Sequence, residues 1–133
     1  MKKNINLKIY WVVTIGPKWQ IIVPKESRQH GEFQAWGEYE IALLDDKWFW
    51  IVNCDDHFDD IHQYFNIKDV WFIRLWTKCQ FVIPVYIREH LSLQSWDNLI
   101  VIGKGDWWLG FLKNDNIDFL LEYIKKVFNK FDF

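Results

Sequence analysis

Moved sixty residues along itself, the chain comes back into register: Trp11–Asp55 lies over Trp71–Asp115 without a gap. The identical pairs are Trp11/Trp71, Lys18/Lys78, Gln20/Gln80, Pro24/Pro84, Arg28/Arg88, His30/His90, Gln34/Gln94, Trp36/Trp96, Asp46/Asp106, Trp48/Trp108 and Asp55/Asp115. Three of these are tryptophan pairs, and coincidence is a poor account of so rare a residue matching three times. Apolar stretches coincide too, with Ile21-Ile22-Val23 over Phe81-Val82-Ile83 and Phe33 over Leu93. A period of this length means that one supersecondary unit is built twice, which restricts the fold before any single residue is considered.

A lone unit of about sixty residues would bury only about 60% of its unfolded surface and would be marginal on its own. Two units sharing a core are better placed, so residues 1–133 are expected to form one compact domain of two repeats, about 7–66 and 68–128. Phe, Trp and Tyr make up 20% of the chain. Their burial at about 25 cal/mol per Å² supplies a dense core and argues against disorder.

Charge excludes several classes of partner. The net charge is −2, with seven Lys/Arg against ten Asp/Glu in residues 1–66 and nine against eight in residues 67–133. That balance is too mild for a nucleic-acid groove or an anionic membrane surface. Met1-Lys2-Lys3 is followed by no apolar signal segment, and no run approaches the roughly 20 apolar residues of a membrane span. Cys54 and Cys79 fall opposite Asn114 and Trp19, so they are not a symmetric disulfide pair. Two reduced thiols in a cytoplasmic protein are expected.

Strand-forming runs cover Leu7–Ile15, Trp19–Val23, Phe33–Leu44 and Lys47–Asn53, with turns at Gly16-Pro17 and Asp45-Asp46 and a polar loop after Pro24. Their counterparts are Val70–Trp76, Lys78–Ile83, Trp96–Ile102 and Trp107–Leu112, with a loop from Pro84. Helical spacing then takes over at Phe58, Ile61, His62 and Phe65, and at Ile117, Leu120, Leu121, Ile124 and Phe128. Each unit therefore reads ββββα. The expected class is α+β: a duplicated unit of about sixty residues, antiparallel sheet, one helix per unit and a pseudo-two-fold. Trp48–Val52 is apolar at every position, which places that strand centrally.

Three groups of residues can carry function. The repeated polar motif comprises Arg28, His30 and Gln34 in the first half and Arg88, His90 and Gln94 in the second. It suits a pocket for an anionic or sugar-like ligand, but the reading favoured is loops knitted to the sheet, because buried polar groups must be paired and positions shared by both halves are usually those the fold needs. The second group is the acidic stretch Asp55, Asp56, Asp59, Asp60 with His62. It reads as a solvated helix start, as a patch for a basic partner, or as a cation site through Asp59 and His62. No third metal ligand is indicated and the pattern fits neither an EF-hand loop nor a zincin helix, so no metal is assigned. The third group is Trp19, Trp50, Trp76 and Trp107, which have no tryptophan at the matching position. Since the shared architecture does not require them, they are the functional candidates among the tryptophans, although burial statistics favour their filling the core.

No catalytic signature stands out. Ser27, Ser92 and Ser95 sit in no nucleophile elbow. Neither cysteine has a neighbouring cue for reactivity, and Gly103-Lys104-Gly105 is a hairpin turn and not a phosphate loop. The expectation is a non-enzymatic protein without a cofactor.

A small, aromatic-rich α+β chain with one acidic edge resembles the bacterial immunity proteins of polymorphic-toxin and contact-dependent inhibition systems. The resemblance is one of class and covers the whole chain. It implies tight binding of a cognate toxin, often a nuclease with a basic cleft, with no direct nucleic-acid or membrane contact. The acidic stretch would speed capture and aromatic anchors would slow release. The alternative is a small-ligand or glycan-binding module built on the Arg/His/Gln/Trp motif, and a third possibility is an enzyme whose site is spread over loops.

Overall fold

The computed structural model describes residues 8–25, 33–44, 47–52, 67–103, 108–113, 118 and 122. Eight strands occur among them: β1 (Lys8–Thr14), β2 (Gln20–Ile22), β3 (Glu38–Leu44), β4 (Trp48–Val52), β5 (Ile67–Arg74), β6 (Gln80–Val82), β7 (Asn98–Gly103) and β8 (Trp108–Lys113). One six-residue helix, α1 (Val85–His90), precedes β7. Every strand pairing is antiparallel.

Six strands form one sheet in the order β1-β7-β8-β4-β3-β5, and β2 pairs with β6 in a separate two-stranded ribbon. The first strand of each half therefore leaves its own half. β1 lies on β7, and β5 lies on β3. The registers repeat at the sixty-residue offset: Trp11 faces Val101 as Trp71 faces Ile41, and Thr14 faces Asn98 as Arg74 faces Glu38. The two central pairings map onto themselves. In β4·β8, Trp50 faces Gly110, and in β2·β6, Ile21 faces Phe81. Each of these is a position facing its own counterpart, so the symmetry axis of the register runs through both pairs.

The core explains the apolar composition. On one face of the sheet, Ile41, Phe49, Ile51, Leu99, Val101, Leu109 and Phe111 pack with Ile21 and Phe81 of the ribbon and with Phe33, Ile87 and Leu93 of the long loops. Phe49 and Phe111 stack with ring centroids 4.9 Å apart, and Phe81 meets Phe111 edge-on at 5.8 Å. The alternate residues, including Ala42, Leu44, Trp48, Trp50, Ile102 and Leu112, are buried as well. β4 is thus buried on both faces, as its unbroken apolar run requires. Glu40 is the one fully buried charged residue among the described residues; its counterpart is Ile100.

The expected fold class is corrected. The protein is predominantly β and not an α+β array of ββββα units with a helix each. The one bounded helix among the described residues, α1, falls where the sequence suggested a loop. It starts from Pro84, whose carbonyl accepts from the amides of Ile87 and Arg88, and it buries only Ile87. A segment that short cannot display a helical apolar period. The stretches read as helices, about 58–65 and 116–128, lie outside the described residues except for Asp118 and Glu122, which are helical and exposed. Neither half keeps its own first strand, because each completes the sheet edge of the other. Among the described residues no helix is long and apolar enough to cross a membrane.

Candidate functional site

Each strand β3 and β7 is entered through a tight turn. In the first, Gly37 N–H donates to Gln34 O (3.0 Å); in the second, Asp97 N–H donates to Gln94 O (3.1 Å). The third residue of each turn is tryptophan, with φ of 67° at Trp36 and 74° at Trp96. A turn with positive φ at that position ordinarily holds glycine or asparagine. The conformation has a backbone cause. Trp36 N–H donates to Leu75 O (2.6 Å) and Trp96 N–H to Ile15 O (2.7 Å), so each turn is tied to the end of the strand that came from the other half.

Different side chains complete the two turns. Gln34 N–H donates to the Tyr39 hydroxyl (2.7 Å), whereas Gln94 N–H donates to a carboxylate oxygen of Asp97 (2.9 Å). A side chain at Gly37 would place its Cβ 2.6 Å from the Tyr39 hydroxyl oxygen, so glycine keeps that bond possible. Asp97, which stands in the place of Gly37, supplies its own acceptor. The backbone at Trp36 and Trp96 is therefore well accounted for, and their indole rings are not: they are 60% and 68% exposed.

The unmatched tryptophans divide between the two readings offered for them. Trp50, which has no matching tryptophan, is buried in the sheet, and it faces Gly110 on the symmetry axis, where a ring on one strand is complemented by glycine on the other. Trp19 is half-buried and packs against the core cluster. Trp76 is exposed, and Trp107 lies outside the described residues. Trp36 and Trp96, which both halves share as part of the repeated motif, are strongly exposed, as is Trp71. A signal was available in the sequence: Gln-x-Trp recurs directly before a strand in both halves, at a turn where no core position is called for.

The acidic group Asp55, Asp56, Asp59, Asp60 and His62 lies outside the described residues, as do Arg28 and His30. Gln34 is exposed at its turn. Arg88, His90 and Gln94 are described, but they do not converge as a set. Arg88 and Gln94 line a cleft of about 390 Å³ between α1 and the Trp19 turn, with Glu89 and Ser92, and His90 is exposed away from its walls. Arg88 holds its guanidinium 4.8 Å above the Trp19 ring. Among the described residues no cluster of His, Cys, Asp and Glu is composed to hold a metal ion, and Cys79 is a buried free thiol. No protein-family model matches the chain, and no curated protein matches it.

Proposed function

We propose that this chain is a non-enzymatic binding protein that captures a protein partner through aromatic anchors, acting as an immunity protein that neutralises a bacterial toxin in the cytoplasm. The observation that carries the reading is the pair Trp36 and Trp96, exposed by 60% and 68% at positive φ in equivalent turns. Left-handed backbone at a bulky residue costs about 1–2 kcal/mol, and glycine or asparagine would relieve it. Stability therefore gives no reason for tryptophan at either place. A rigid, amphipathic ring held out on a well-tied turn is what a binding hot spot needs. Trp71, Phe72 and Trp76 add further exposed aromatic surface near the Trp36 turn and along β5. The acidic residues Asp55, Asp56, Asp59 and Asp60 supply steering in this reading, with His62 beside them.

The test is affinity capture from the native host, followed by titration of the recovered partner. Trp36→Ala and Trp96→Ala should each weaken binding about thirtyfold or more, the fold-change of a 2 kcal/mol hot spot, with the melting temperature nearly unchanged. The partner should be toxic alone and harmless beside this protein. Undiminished affinity in the double variant would remove the aromatic turns from the account. Charge reversal of Asp59 and Asp60 should lower the association rate and flatten its salt dependence, which tests the acidic stretch separately.

A further inference from the structure

The cleft beside α1 is a site of a different kind. Arg88 lines it, and the Nε atom of this residue is buried without a hydrogen-bond partner. Its guanidinium faces the Trp19 ring at 4.8 Å, and among the described residues it makes no ion pair. An arginine that knits a loop to the sheet would donate to carbonyls or a carboxylate. Arg88 does neither; the loop is held by other bonds, from Lys113 Nζ to Ser92 O (3.1 Å) and from Leu93 N–H to Arg88 O (2.8 Å). A buried guanidinium donor left unmatched is costly, because desolvation is paid without a compensating acceptor. With Nε closed to solvent, an oxyanion entering the cleft can meet only the Nη1–Nη2 edge, which also offers two parallel bonds.

We infer that the Arg88 cleft binds a small oxyanion, a carboxylate or a phosphate group, gripped by Arg88 and assisted by Ser92 and Gln94. The Trp19 ring lies 4.8 Å from the guanidinium carbon and restricts its movement on that side before a ligand arrives. Ser92 and Gln94 also line the cleft and carry donors of their own. Glu89 also lines the cleft, which disfavours a densely charged polyanion and favours a single anionic group. The site joins both halves, Trp19 from the first and Arg88 from the second, and the residue equivalent to Trp19 in the sequence repeat is Cys79. The inference does not depend on partner capture, since neither Trp36 nor Trp96 is among the cleft walls.

The experiment uses the whole protein labelled with ¹⁵N, following the Nε–H signal of Arg88 and the indole N–H of Trp19. Sodium acetate and inorganic phosphate are titrated separately, each against sodium chloride at matched ionic strength. Saturable shifts of both signals with one of the two anions, absent with chloride, are the expected result. The anion that saturates at the lower concentration tells carboxylate from phosphate. Arg88→Lys should weaken that binding about tenfold, since it keeps the charge and loses the fork, while Arg28→Lys should leave it unchanged. Gln94→Ala, which leaves the Arg88 signal in place, should weaken it several-fold and serves if Arg88→Lys does not fold. Linear drift equal to that in chloride, with both anions, would overturn the assignment, as would saturation that survives in Arg88→Lys. Failure here would leave the capture reading standing, and loss of capture would leave this one standing.

Discussion

Trp36 and Trp50 are the same residue under opposite demands. Trp50 is about 1% exposed in the strand that carries the centre of the sheet. Trp50→Ala should cost about 3–5 kcal/mol in urea unfolding, the range for removing a large ring from a packed core. Trp36→Asn gives up little buried surface and relieves a strained turn. Its effect on unfolding should fall within about 1 kcal/mol of zero, and equality of the two variants would contradict the burial pattern. This contrast also marks where sequence reasoning stopped. Residues shared by both halves are ordinarily the ones a duplicated fold needs, and residues unique to one half are freer to serve function. The premise fails on an axis, where Trp50 must face its own counterpart and Gly110 stands there instead. It fails again at a turn, where the backbone is shared for structural reasons and the ring on it is not buried. The Arg88 cleft was half legible: Arg88 and Gln94 were named together, but the Trp19 ring that completes the site comes from a segment almost seventy residues away.

At the level of elements, local sequence carries the strands and not their neighbours. All eight strands fall within or beside the apolar runs that predict them, because alternation, β-branching and the flanking Pro and Gly are local properties. Pairing is another matter. β2 peels off to join β6, which separates β1 from its own half, and nothing in the run Ile9–Val13 says that its partner is Leu99–Ile102. The equivalent edges even use different polar contacts. Arg74 pairs with Glu38 where Thr14 donates to Asn98 at 2.7 Å. Both partners of the ion pair are more than half exposed, at 57% and 62%. Arg74→Ala should therefore change unfolding free energy by about 0.5 kcal/mol or less, and less still at high salt. A loss several times larger would mean that the charge pair, and not the backbone ladder, holds β5 to the sheet. The helix-per-unit expectation erred through a similar limit: amphipathic spacing states what a segment can be, while the sheet architecture decides what the fold is.

Taken whole, the molecule is held together by contacts between distant parts of the chain: the Thr14 partner is Asn98, and the Ile21 partner is Phe81. Neither half encloses a core alone, so thermal unfolding should be a single cooperative transition, with tryptophan fluorescence and far-ultraviolet circular dichroism giving one midpoint. Separate midpoints would show that the halves melt as independent bodies. The two axial pairs have a stricter consequence. In a symmetric dimer of identical subunits, a residue on the axis meets its own copy. Joining the halves in one chain lifts that requirement, and the protein uses the freedom twice, setting Trp50 on Gly110 and Ile21 on Phe81. Two copies of residues 1–66 would bring Trp50 against Trp50 in a space shaped for one ring, and two copies of residues 67–133 would leave glycine against glycine and an unfilled core. Each half is thus complementary to the other and a poor match for itself. Produced separately, the fragments should stay unfolded alone and assemble only when mixed, one to one. A covalent repeat has in this way become an obligate heterologous pair that happens to share a single backbone.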